Sequence, residues 1–221
     1  MAGQMLSLPA SLRRSVVLTW LELPRVIAVS LGWAVTLVPL AAAIVVGAPW
    51  WIGALASLPG ALAATGVATF AAAVRRGEKP AVRVAFGVDP VLGGSFSLVG
   101  GVAAGAISAG GVIAIAGFAI AAAGLVLAPV ALAYGAVRGR RGLVAWRGGA
   151  ILTAYRPGAA LTVLAIACLG GFAVAATMGA LVVFVPVLVG TFASAVVASL
   201  LESIDELSAP ARLPARITPG S

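Results

Sequence analysis

Few residues in this chain carry catalytic or coordinating chemistry, and their spacing suits neither task. Glu202, Asp205 and Glu206 form the tightest acidic group, a pattern that could hold a divalent cation or set up two catalytic carboxylates. A hard cation needs six or more oxygen ligands, and neither a histidine nor a further acid stands at ligand spacing. The group is expected instead to be a solvated helix end that pairs loosely with Arg138, Arg140 or Arg141. The absence of histidine removes the commonest general base, metal ligand and pH switch together. Cys168 is the single cysteine, so an intramolecular disulfide, thiol-pair redox chemistry and a Cys-cluster metal site have no partners. No catalytic, cofactor-binding or metal-binding residue is assigned, and the chain is expected not to be an enzyme.

A second set of candidates lies inside apolar sequence. Pro39, Pro59, Pro129 and Pro186 each lack an N–H and free a carbonyl, and transporters use such helix breaks to bind ions or solutes. A kink healed by neighbouring helices is the commoner outcome. The hydroxyls Thr36, Ser57, Thr65 and Thr69 lie near these breaks and could ligate a solute, although Ser and Thr within a span usually bond the preceding turn. The candidate kink or lining positions are Pro39, Pro59, Thr65, Thr69, Pro129 and Pro186.

Charge distribution sets the elements that must carry these residues. All fourteen Lys and Arg and all six Asp and Glu fall in four short stretches. Between them run uncharged segments 26–74, 90–137 and 157–201, about 49, 48 and 45 residues long. A spanning helix needs about 20 apolar residues, so each segment fits two spans and a turn. With 62% hydrophobic residues, 9% charged residues and a mean hydropathy of +1.16, the chain lacks the polar surface of a water-soluble domain. The predicted fold is all-α: a polytopic membrane protein with six transmembrane helices as three hairpins. Each hairpin returns its charged flanks to one face, which the positive-inside rule assigns to the cytoplasm together with both termini. The expected location is the bacterial cytoplasmic membrane.

The spans are expected at about 26–46, 50–74, 93–108, 112–135, 159–178 and 181–201. Residues 1–25 mix Leu12, Val16 and Trp20 with Arg13, Arg14 and Arg25, as an interfacial segment ended by Pro24 would. Ala41-Ala42-Ala43 has the look of a cleavage signature, but the apolar run continues through Val46 and is longer than a signal h-region. Trp50-Trp51 sits where an aromatic belt would, and turns are expected at Ser108–Gly111 and Met178-Gly179. The first basic loop, Arg75-Arg76-Gly77-Glu78-Lys79-Pro80 and the few residues after it, is too short to fold alone. The second, Arg138 to Arg156, holds five arginines and no acid, with apolar residues spaced for a surface helix. Residues 202–221 carry Pro210, Pro214 and Pro219 and are expected to form a cytoplasmic tail. The hairpins are not a repeat, because their prolines occupy different helices. Gly101 and Gly105 match a small-xxx-small pattern, expected to serve packing within the monomer.

The ordering resembles the YesL-like family of bacterial membrane proteins. The likeness rests on Trp33 to Pro39 in the first span, a short outer turn, Pro59 to Val74 followed by Arg75-Arg76-Gly77-Glu78, and the second basic loop before Pro157. The resemblance implies a six-span or near six-span protein of undefined molecular activity, often encoded beside carbohydrate ABC transporters, and it brings no catalytic residues.

The net charge of +8 flanks apolar spans and lacks interleaved aromatics, so anionic lipid headgroups rather than nucleic acid are the expected partners. Arg75, Arg76, Arg138, Arg140, Arg141 and Arg147 are the candidate inner-face contacts, to lipid or to another membrane complex such as a sugar importer. No Asp, Glu, Lys or Arg falls within an expected span, so proton-coupled pumping has no visible machinery. The expected function is an accessory component linked to a carbohydrate ABC transporter; the alternative is an uncoupled transporter or channel for a small neutral solute. Cysteines placed at Glu78 and Arg141 in a Cys168→Ser background should react with an impermeant maleimide from the same compartment, and reaction from opposite compartments would refute the topology.

Overall fold

A computed structural model describes residues 17, 19–177 and 179–208. Most of the expected interfacial segment, the proline-containing tail and Met178 of the expected turn lie outside the described residues. Helix α1 (Leu23–Thr36) and helix α2 (Val38–Val45) are followed by α3 (Trp50–Arg75), a 3-10 segment (Val82–Phe86), α4 (Pro90–Ala109) and α5 (Gly111–Arg138). Then come α6 (Leu143–Tyr155), α7 (Pro157–Ala176), a second 3-10 segment (Ala180–Val183) and α8 (Val185–Ser208). Six stretches are long and apolar enough to cross a membrane: Leu23–Val45, Trp50–Arg75, Pro90–Ala109, Gly111–Arg138, Pro157–Ala176 and Val185–Glu206. Among the described residues there is no strand. Large apolar side chains such as Ile44, Ile115 and Phe172 are about 70% exposed or more. Such an apolar exterior is compatible with a multi-pass membrane protein, whose solvent is hydrocarbon.

Of the four candidate prolines, two stand at helix starts and two lie inside helices. Pro39 lies in the first turn of α2, after a break at Leu37, and Pro186 is the second residue of α8. Their missing N–H groups belong to helix positions without an intrahelical partner, so Pro186 opens its helix, while Pro39 opens α2 at the break within the span Leu23–Val45. Pro59 and Pro129 lie inside α3 and α5. The expected span from 181 is divided, with the 3-10 segment Ala180–Val183 preceding α8. The expected span from 93 begins three residues earlier, at Pro90. Gly110 and Gly111 both have positive φ, 76° and 58°, where the chain passes from α4 to α5.

Glycines let the helices approach closely. Along α3 and α4, Trp50 faces Gly105, Ala54 faces Gly101, Ser57 bonds Ser97 and Leu62 faces Gly93. The series pairs α4 with the first part of α3 and leaves residues 66–75 to other neighbours. Part of that stretch is covered by the 3-10 segment, which folds back so that Ala85 lies directly over Gly66. Helix α6 packs along α5 through Gly148 against Tyr134 and Gly149 against Ala131. Two apolar cores result. Val26 and Val29 of α1, Phe70 and Val74 of α3 and Val187 of α8 form one. Val130 of α5, Leu152 of α6, Val163 of α7 and Val197 of α8 lie in the other, so α8 joins both.

A Cβ at position 66 would stand 1.8 Å from the Ala85 carbonyl oxygen, whereas one at Gly94 would meet nothing within 4 Å. Gly66→Ala should therefore destabilise the protein by roughly 1–3 kcal/mol through overpacking. Gly94→Ala should be neutral or stabilising by up to about 1 kcal/mol. Thermal melts of both variants in mild detergent check the difference.

Candidate functional site

The most connected polar residue is Asp89, which is 8% exposed. It caps α4: its Oδ1 accepts from the Val91 and Leu92 amides at 3.1 and 3.0 Å. Its Oδ2 accepts from the Gly142 amide at 2.6 Å, in the connection between α5 and α6. Its own amide donates to Thr65 Oγ1 at 2.9 Å, on α3. One residue thus binds three separate parts of the chain. Proline at the first position of α4 and aspartate just before it make a strong helix start, because the carboxylate satisfies amides that the helix cannot. Gly142, at φ 58°, adopts the left-handed backbone that most side chains resist. Beside the clamp, Trp146 Nε1 donates to Ser95 Oγ at 2.6 Å and its ring lies 4.9 Å from that of Phe96, which docks α6 on α4.

Two cavities flank α3 and α5. A polar cavity of about 310 Å³ is lined by Thr65, Thr69, Asp89, Gly139, Arg140 and Arg141, among others. An apolar cavity of about 430 Å³ lies among α1, α3, α5, α7 and α8, with Trp33, Val67, Pro129, Pro186 and Ala193 in its wall. The Trp33 indole N–H is already committed to the Gly60 carbonyl at 3.1 Å. Leu132 of α5 lines both cavities.

The candidates named from sequence are thereby divided. Pro129 and Pro186 line the apolar cavity, Thr65 and Thr69 line the polar one, and Pro39 and Pro59 line neither. Thr36, Ser57, Thr65 and Thr69 all donate to a carbonyl three or four residues back, the usual use of such hydroxyls in a helix. Arg75 is partly buried at the end of α3, within electrostatic reach of Glu202. Arg76 is paired with Glu78 through two hydrogen bonds, at 2.5 and 3.1 Å. That bonding raises the Arg76 pKa and holds the Glu78 carboxyl below the ordinary carboxylate range. Asp205 of the acidic group pairs with Arg138 at 2.7 Å. Arg140, Arg141 and Arg147 are exposed and carry no ion pair among the described residues. Among those residues, no three of His, Cys, Asp and Glu stand close enough to hold a metal.

Asp89 is not among the candidates read from the sequence. The Asp-Pro start of an apolar run was the signal that could have marked it as a cap, but nothing local points to Gly142, 53 residues away.

These features define an all-helical chain with six apolar segments, compatible with an integral membrane protein. No family model, no curated protein and no solved structure matches it. Thr65→Val should cost about 1–3 kcal/mol, because it leaves the buried Asp89 amide without an acceptor. Thr69→Val, which removes only a bond within its own helix, should cost less than about 1 kcal/mol. Detergent-phase thermal stability separates the two.

Proposed function

We propose that this chain is a non-enzymatic accessory protein of the bacterial cytoplasmic membrane, folded as three transmembrane hairpins with both termini in the cytoplasm. Its basic loops would engage anionic headgroups and a partner membrane complex. The resemblance to the YesL-like family makes a carbohydrate ABC transporter the preferred partner. The observation that carries this proposal is the group Arg140, Arg141 and Arg147, exposed and without ion pairs among the described residues, on the connection and helix that follow α5. Unpaired arginines at the end of an apolar helix attract acidic headgroups or acidic protein surfaces. Asp205 is held by Arg138 and the Asp89 carboxylate is occupied by three amides, so neither competes for them. The short contacts of Gly117 with Ala103 and Ile107, and of Gly124 with Val99, support folding back at Gly110 in the middle hairpin.

A second function, uncoupled passage of a small neutral solute, draws support from the cavities that meet at Leu132. Its weakness is chemical, because the larger cavity is almost wholly apolar. Flux of such a solute into proteoliposomes should rise in Leu132→Ala if that passage exists; unchanged flux would remove it.

For the accessory role, a carbohydrate importer should co-purify with the full chain in mild detergent. The yield should fall several-fold in the triple variant Arg140→Gln, Arg141→Gln, Arg147→Gln. Purification alone, together with sugar uptake unchanged on deletion, would refute the proposal.

A further inference from the structure

We infer that the two adjoining cavities form one binding site for a single-chain anionic amphiphile, with the acidic head at Arg140 and Arg141 and the acyl chain in the apolar cavity. This inference stands apart from the accessory role and does not depend on it. It begins with continuity. On α5, Ala128, Leu132, Ala136 and Gly139 follow one another at spacings of three or four, so they share one helix face. That face runs from the apolar cavity into the polar one, and Leu132 is its one large side chain.

Polarity selects the head. Every polar side chain other than arginine in the polar cavity is already engaged. Thr65 Oγ1 donates to the Leu62 carbonyl and accepts from the Asp89 amide. Thr69 donates to the Thr65 carbonyl. The Asp89 carboxylate accepts from Val91, Leu92 and Gly142. Arg140 and Arg141 have neither an ion pair nor a side-chain hydrogen bond among the described residues, and a guanidinium suits a carboxylate or phosphate through paired N–H donors. Charge therefore favours an anion over a neutral sugar or alcohol.

The apolar cavity selects the tail. Its volume of about 430 Å³ lies within the roughly 300–1,000 Å³ usual for small-molecule sites. Its wall of Val67, Pro129, Val189 and similar residues offers an acyl chain the same apolar surroundings as a bilayer. Chain transfer from lipid into this space is then close to neutral, so selectivity rests on the head. Carboxylate and phosphate heads share that chemistry, and the competition arms below distinguish them.

The test uses the full chain in phosphatidylcholine nanodiscs with palmitic acid carrying a diazirine at its chain end. After irradiation, adducts should map to residues 128–133 and 185–193, in the wall of the apolar cavity. Unlabelled palmitate or lysophosphatidate should reduce that labelling at least fivefold, the stronger competitor naming the native head, while hexadecanol should not. Arg140→Gln with Arg141→Gln should lower cavity labelling to a similar degree, and the paired Lys variants should restore most of it. Leu132→Trp should block it, and Leu132→Ala should preserve it. Should Leu132→Trp fail to fold, the exposed arginine pair still decides. Adducts confined to lipid-facing residues such as Ile115 and Phe172, equal competition by hexadecanol, or full labelling without the two arginines would overturn the site.

Discussion

A buried carboxylate is costly unless its lone pairs are met by donors, and Asp89 meets this condition with three backbone amides from two places in the chain. Hydrogen bonds to charged groups contribute roughly 1.5–3 kcal/mol each. Their greater importance here is geometric, because they fix α4 and the start of α6 against each other. The Asp89 amide adds α3 to the same junction through Thr65. Three segments far apart in sequence are thereby held by a single residue, in a protein whose helix faces are otherwise nearly uniform in polarity.

Membrane-type helices lack a hydrophobic drive toward one another, since lipid is as apolar as their own side chains. Close backbone approach and buried polar bonds must supply specificity. Both occur together: Gly93, Gly101 and Gly105 admit α3 side chains against α4, and the Ser57–Ser97 bond lies between them at 3.2 Å. On the other side of α4, the Trp146–Ser95 bond docks α6, which Gly148 and Gly149 hold along α5. Arg140 and Arg141 precede Gly142 directly, so the clamp that holds the Gly142 amide also sets both arginines at the rim of the polar cavity.

The number and composition of the apolar helices were legible in the charge pattern, because hydrocarbon excludes ionised side chains over the length of a span. The helix-opening roles of Pro39 and Pro186 were less so, since an apolar run conceals whether a proline interrupts a helix or begins one. The residues following Arg75 are too short to fold alone, and Gly66, by admitting Ala85 against α3, gives them a surface to fold on. Thr65 and Thr69 line a cavity, but their hydroxyls are used internally. The link from Asp89 to Gly142 and the meeting of two cavities at Leu132 had no local signature. Both depend on helix-to-helix geometry that spacing along one chain does not encode.

One carboxylate joins α4 to the connection before α6. Amide hydrogen exchange of the full chain in nanodiscs, resolved at Val91, Leu92 and Gly142 and compared between the native protein and Asp89→Ala, measures that junction. All three amides should be protected in the native protein and should lose protection together in the variant. Gly142 exchanging in the native protein as fast as an open loop amide, with Val91 and Leu92 still protected, would mean that Asp89 caps α4 alone and does not hold the connection.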